Sequence, residues 1–212
     1  MSSKRNLATQ LAVVAGFEDP VASLEQYPTP PELAAHVIHV ADLQGDIEGR
    51  TVLDLGTGTG MLALGAALRS PARVVGIEID APALSIAQRN ERRVGSTAPV
   101  HWIRGDAGRP PIRDGAPTTV VMNPPFGAQD GHRHADRRFL ATAAELADVS
   151  YSIHNEGSQD FLEAFASDNG GTITHAFKAE FELEHQFDHH AEDRRDIDTE
   201  VYRIEWGSAR GA

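Results

Sequence analysis

The sequence predicts an α/β domain built on a mostly parallel, seven-stranded sheet with helices on both faces. Short runs of β-branched and aliphatic residues alternate with longer stretches whose apolar residues recur at helical spacing. A glycine-rich turn, Asp54-Leu55-Gly56-Thr57-Gly58-Thr59-Gly60, overlaps the end of the first apolar run and opens a helical stretch. Acidic residues, Glu78 and Asp106, close the next two runs. Open parallel sheets bind ligands beyond the carboxyl ends of their strands, where these acids fall.

Residues 1–29 read as a helical N-terminal extension ending in the turn-rich Gln26-Tyr27-Pro28-Thr29-Pro30-Pro31. Pro31 can open the next helix, because a proline's fixed φ suits the first helical position and its missing N–H is not needed there. Leu33, His36, Val37 and Val40 then share one face. Residues 51–55 are a short buried strand, and the glycine turn leads from it into a helix over 62–68. A second strand covers 74–77. Asp80 is placed to cap the helix over 81–93, its carboxylate accepting from an unsatisfied backbone N–H. Strands follow at 100–103 and 117–122, a helix at about 136–146 and a strand at 149–153. A helix near 159–166, a strand around 172–177 and a last strand over 199–206 complete the series. Two charged segments, 127–138 and 185–198, read as loops, the first on the substrate side. One domain spanning 1–212 is predicted.

A chain of 212 residues can bury a sizeable core, and the absence of cysteine excludes disulfides and thiolate metal sites within it. The apolar stretch 11–17 is soon broken by Glu18, Asp19 and Pro20, which suits neither a signal peptide nor a membrane span. A soluble, cytoplasmic protein is expected. The net charge of -12, with lysine only at Lys4 and Lys178, is unexpected for a nucleic-acid enzyme. It reads either as adaptation to high salt, a halophilic surface, or as an acidic enzyme acting on a protein or small molecule. The acidity therefore does not exclude RNA. His185, His189 and His190 lie among acids with no second ligand cluster, so no metal site is predicted.

Dinucleotide-binding turns space their glycines G-x-G-x-x-G, whereas this turn reads D-x-G-x-G-x-G, a signature of S-adenosylmethionine enzymes. Asp54 leads it, and Gly56, Gly58 and Gly60 let the backbone approach a ligand and turn into the helix. Glu78 is placed to accept from both ribose hydroxyls, Ile79 to flank the adenine, and Asp106, followed by Ala107, to accept from the adenine amino group. The candidate catalytic segment is Asn123-Pro124-Pro125-Phe126, directly after the strand 117–122. Pro124 and Pro125 pin one extended shape. The Asn123 side-chain oxygen and the Pro124 carbonyl are then free acceptors, and Phe126 offers a stacking face. This suits any planar substrate bearing an amide or amino NH2, and Asn123 also borders the cofactor.

These motifs, with Leu24-Glu25-Gln26-Tyr27-Pro28-Thr29-Pro30, Gly76-Ile77-Glu78-Ile79-Asp80, Val149-Ser150-Tyr151-Ser152-Ile153-His154 and Ile197-Asp198-Thr199-Glu200-Val201, resemble the methyltransferase-like protein five family over about residues 23–206. The resemblance implies a Rossmann-like class I S-adenosylmethionine-dependent methyltransferase. It further implies N6-adenosine methylation of small-subunit ribosomal RNA, in a heterodimer with a small zinc-binding activator protein. Gln26, Tyr27 and Thr29 are then expected to fold over the cofactor, and residues 123–126 to form the catalytic loop. The chain departs from the family in carrying Thr57 and Thr59 where relatives often have cysteine. Its tail is also poor in lysine, so Arg194, Arg195 and Arg203 would have to supply the RNA contacts.

Three further features each have two readings. Strand 100–103 is expected at a sheet edge, where it could dock the activator by extending the sheet; alternatively Trp102 packs over the adenine side of the cofactor. His132, Arg133 and His134, beside Arg137 and Arg138, read either as a phosphate clamp or substrate lid, or as a solvated loop with helix-terminal charges. A protein glutamine N5-methyltransferase acting on a translation release factor is the alternative function, since it uses a related Asn-Pro-Pro loop. Phe126 in place of tyrosine and the Glu25-Gln26-Tyr27-Pro28-Thr29 entry segment weigh against it.

Overall fold

Residues of alternating burial direction dictate the layers. In β1 (Thr51–Leu55), Val52 faces one core while Leu53 and Leu55 face the other, so every residue of this strand is buried. The computed structural model describes residues 3–96, 98–112, 116–125, 135–182 and 196–207. It adds β2 (Arg73–Glu78), β3 (Val100–Arg104), β4 (Thr118–Met122), β5 (Val149–Asn155), β6 (Gly171–Glu182) and β7 (Asp196–Trp206) in one sheet of order β3-β2-β1-β4-β5-β7-β6. β1 to β5 pair in parallel, and β7 runs antiparallel between β5 and β6. The predicted edge position of β3 is observed.

The helices are α1 (Lys4–Leu11), α2 (Pro31–Leu43), α3 (Met61–Ala67), α4 (Ala81–Val94), α5 (Ala135–Leu146) and α6 (Gln159–Asp168). α1, α2 and α3 cover one face with Leu7, Ile38 and Leu64 over Val52, Val74 and Val121. α5 and α6 cover the other, Leu140 and Leu162 meeting Val120, Met122 and Ile204. Each such buried aliphatic contributes about 1.5–3 kcal/mol. Among the described residues no helix is long and apolar enough to cross a membrane.

The structure corrects several boundaries. The N-terminal extension is helical only over α1, which ends at Leu11 with Ala12 as its C-cap, and over a single 3-10 turn at Ala22–Leu24. α5 begins at Ala135, close to the expected start at about 136, so Arg137 and Arg138, which the expected loop 127–138 also took in, are helical. β7 begins at Asp196, paired with Glu182, so 196–198 are strand: a long two-stranded ribbon carries β6 and β7 past the rest of the sheet. Phe126, His132, Arg133, His134, His185, His189, His190, Arg194 and Arg195 lie outside the described residues.

The expectation that Arg203 contacts RNA is overturned. The residue is buried at 6% exposure, and its side chain donates to both carboxylate oxygens of Asp46 (2.8 and 3.2 Å), to Thr174 and to Glu205. The Tyr151 hydroxyl donates to the same Asp46 at 2.6 Å. Burial, then the bond to Asp46 and its charge, push the Tyr151 pKa up. Removing one member of a buried ion pair costs about 3–5 kcal/mol, so Arg203 is committed to holding β7 onto the core.

Candidate active site

The glycine turn is the foundation. Gly56, Gly58 and Gly60 take φ values of 68°, 55° and 94°, a left-handed region that a side chain disfavours. Two rings roof the turn: a methyl group on Gly56 would meet Phe139 at 2.8 Å, and one on Gly58 would meet Phe17 at 3.0 Å. Asp54 locks the turn from behind. Its Oδ2 accepts from the Thr57 hydroxyl (2.6 Å) and the Ala63 N–H (2.9 Å). Burial pushes its pKa up to about 7, against the pull of those two donors and with a small push from Glu78.

Glu78, closing β2, is fixed by backbone donors on both oxygens. Oε2 accepts from Gly58 (2.9 Å), and Oε1 from Ile79 (2.9 Å) and Asp80 (3.0 Å). Asp106, after β3, accepts from the Gly108 N–H at 2.8 Å and from Arg138 Nη2 at 2.6 Å. Burial works to raise its pKa, but these two donors and the arginine charges hold it below the ordinary range. Asp80 caps α4 through the Ala83 N–H (3.2 Å), as predicted, and also accepts from Gln26 Nε2 at 3.1 Å.

That second bond draws the N-terminal strap over the turn. Gln26 closes a local loop by accepting from the Val21 N–H at 2.8 Å. Further back, Asn90 of α4 is fully buried and clamps the strap to the turn. It accepts from the Ala15 N–H (3.0 Å) and donates to the carbonyls of Ala15 (2.9 Å) and Thr59 (2.9 Å). Sequence reasoning missed Asn90, yet an amide on the apolar face of α4, four residues after Ile86, was a readable signal.

These pieces enclose a cavity of about 210 Å³. From the strap, Gln26, Tyr27 and Thr29 line it; from the turn, Gly56 and Gly58; from the strand ends, Glu78, Ile79, Asp106 and Ala107. Asn123 and Pro125 line the opposite wall. Asp54 and Gly60 do not line it, and Pro124 is buried between the two lining residues Asn123 and Pro125. Trp102 is not over this cavity either: its ring lies on Gly60 and Gly76, and its Nε1 donates to Glu91 at 2.7 Å. The alternative reading of Trp102 is thereby corrected, because the glycines give the ring room beneath the turn rather than above it.

Across the cavity, Asn123 Nδ2 donates to Thr29 Oγ1 at 3.0 Å, which leaves its Oδ1 buried without a partner among the described residues. Two more buried polar atoms without partners among the described residues, Ser152 Oγ and His154 Nε2, follow on β5, where Ser152 pairs with Met122 one residue before Asn123. Burial pushes the His154 pKa down to about 4. Arg137 lies over the rings of Phe161 and Phe165, 5.8 and 5.6 Å from their centroids, so the two arginines of α5 have separate contacts. Among the described residues no group of three or more metal-type ligands is present. One wall thus offers fixed acceptors for a hydroxyl- and amine-bearing ligand, and on the other Asn123 keeps a buried amide oxygen without a partner among the described residues.

The chain matches the family model for the methyltransferase small domain over residues 35–149. It is similar to the rRNA N(6)-adenosine-methyltransferase Mettl5 of Drosophila melanogaster, with 33% identity over 96% of this chain and 97% of that protein. The crystal structure of Pyrococcus horikoshii PH1948 superposes with a TM-score of 0.84 at 34% identity, over 96% of this chain and 99% of that one. A release factor glutamine methyltransferase of Moorella thermoacetica is 40% identical, but over only 37% of this chain and 28% of its own. The seven-stranded sheet with its reversed β7 is the class I methyltransferase fold. Matched from end to end by one group of relatives and only in part by the other, the chain belongs to the Mettl5-like family of methyltransferases.

Proposed function

We propose that this chain methylates N6 of an adenosine in small-subunit ribosomal RNA, using S-adenosylmethionine and acting beside a small zinc-binding activator protein. The observation that carries the reading is the buried Asn123 Oδ1, without a partner among the described residues, on an amide held in its orientation by Thr29. S-adenosylmethionine supplies an electrophilic methyl group, and its transfer to an amine is an in-line displacement in which positioning outweighs a strong base. The donor set fits that cofactor. Glu78 accepts from the ribose hydroxyls, Asp106 and Ala107 meet the adenine edge, Ile79 flanks the ring, and Gln26, Tyr27 and Thr29 fold over it. Asn123 Oδ1 and the Pro124 carbonyl accept the two hydrogens of the substrate amine and aim its lone pair. Pro125 keeps the segment extended, and Phe126 stacks on the extruded base.

The full-length likeness to an rRNA N6-adenosine methyltransferase supports RNA as the substrate over a protein glutamine, for which the likeness covers little more than a third of the chain. The exposed edge of β3, where His101 and Arg104 are solvent-facing, supports docking of the activator by sheet extension. Val100→Lys is expected to abolish co-purification with the activator, and retained co-purification counts against edge pairing. An acidic surface with two lysines fits a cytoplasm of high salt, where contacts to phosphate are screened in any case. The decisive experiment supplies labelled S-adenosylmethionine with small ribosomal subunits and, separately, with release factor. Label recovered as N6-methyladenosine is expected; label entering protein and not RNA overturns the reading.

A further inference from the structure

Arg138 is the one cation, among the described residues, that lines the cavity of this strongly acidic chain. It reaches from the first turns of α5 to Asp106, the residue read above as the acceptor for the cofactor's adenine amine. Its guanidinium also covers the turn after Asp106: a methyl group built on Gly108 would meet Nη2 at 2.8 Å and Nε at 3.0 Å. Salt bridge and cover together place the arginine at the edge where an adenine ring would have to lie.

We propose that Arg138 is an exchangeable counter-ion: the cofactor's adenine amine replaces it on Asp106, and the released guanidinium then takes a phosphate of the RNA substrate. The inference rests on the adenine-binding role given to Asp106 and adds to it an order of binding. Energetics favour the exchange. The two side chains are 58% and 43% exposed, and a pair this open is worth little in water. A planar amine entering the cavity brings a replacement donor together with the stacking area of its ring. An arginine is suited to the second half of the exchange, because its planar fork matches a phosphate as well as a carboxylate. Arg137, its neighbour on α5, is instead laid over Phe161 and Phe165. By linkage, a cofactor that frees Arg138 raises affinity for RNA, and RNA raises affinity for the cofactor by the same factor.

The test uses S-adenosylhomocysteine, which cannot turn over, and a short single-stranded oligoribonucleotide containing adenine. Arg138→Ala, and Arg138→Met, which keeps the apolar stem, are expected to tighten S-adenosylhomocysteine about two- to fivefold, the range an exposed pair can supply. S-inosylhomocysteine, which lacks the amine, is expected to show no such gain. With S-adenosylhomocysteine present, the salt dependence of RNA binding should be steeper in the parent protein than in Arg138→Ala by about one phosphate contact. Without it the two slopes should coincide. A slope difference already present without the ligand, or none with it, overturns the release. Asp106→Ala separates the layers of the argument. Lost affinity in Asp106→Ala with no change in either Arg138 variant overturns the exchange and leaves the adenine site standing. No change in any of the three overturns the reading of Asp106 itself, and the exchange with it.

Discussion

The two walls of the cavity are finished to different degrees. On the cofactor side, Asp54, Glu78 and Asp106 each already accept from backbone N–H groups of the turns around them. On the acceptor side, Asn123 Oδ1 is buried with no partner among the described residues. Buried polar atoms normally find partners, and those that do not are costly to keep. The contrast teaches that the acids hold the shape of their wall whether or not a ligand is present. The amide wall carries unspent hydrogen-bonding capacity, which the proposed substrate amine would use.

The largest expected effect breaks the acceptor wall. Asn123→Ala should lower the rate of single-turnover methyl transfer by about 100-fold or more, as loss of one pre-positioned hydrogen-bonding group does in other active sites. Titration calorimetry should find S-adenosylhomocysteine affinity changed no more than about twofold. Comparable losses in both measurements would erase the distinction between the walls. Glu78→Gln attacks the opposite side. It exchanges a charged acceptor for a neutral amide and places an NH2 against the backbone donors, so S-adenosylhomocysteine affinity should fall between about 10- and 100-fold.

Thr29→Val is a subtler probe, because Thr29 belongs to the strap yet orients the opposite wall. Without its hydroxyl, the Asn123 amide is free to turn, and kcat should fall about tenfold with little change in the KM for S-adenosylmethionine. A change confined to KM would show that Thr29 serves the cofactor alone. The smallest effect is on stability against pH. Asp54 has its pKa raised to about 7, so it contributes stability that is present below its ordinary value and lost as pH rises through 7. His154 is lowered from 6.5 to about 4, so its contribution is present above 6.5 and lost as pH falls through 4. The two slopes oppose one another. Asp54→Asn should abolish the decline in melting temperature as pH rises to about 7 and expose the rise due to His154; an unchanged profile would contradict a raised pKa at Asp54.

What the sequence disclosed was local. The glycine turn, Glu78 and Asp106 are strand-end features whose geometry follows from their own neighbours. The two-proline segment likewise announces its rigidity in four consecutive residues. The bonds that set these pieces relative to one another join distant positions: Thr29 to Asn123, Ala15 to Asn90, Asp46 to Arg203. No periodicity encodes such a pairing. Arg203 illustrates the cost. In the sequence it is an isolated cation in a strand near an acidic tail, open to reading as a solvent-facing contact. Its counter-charge lies 157 residues earlier, and only the insertion of β7 brings the two together. The N-terminal strap was misjudged for a related reason: tertiary bonds to Asn90, rather than a helix, hold it in place.

The position of β7 has a consequence for the way the chain comes off the ribosome. β6 is made before β7 but hydrogen-bonds within the sheet only to β7, which in turn bonds to β5. A nascent chain that has emerged as far as β6 therefore holds a strand with no seat in the sheet. Asp46, released far earlier, still lacks the arginine that neutralises it. Seating of β6 in the sheet and burial of that charge therefore depend on the same late segment.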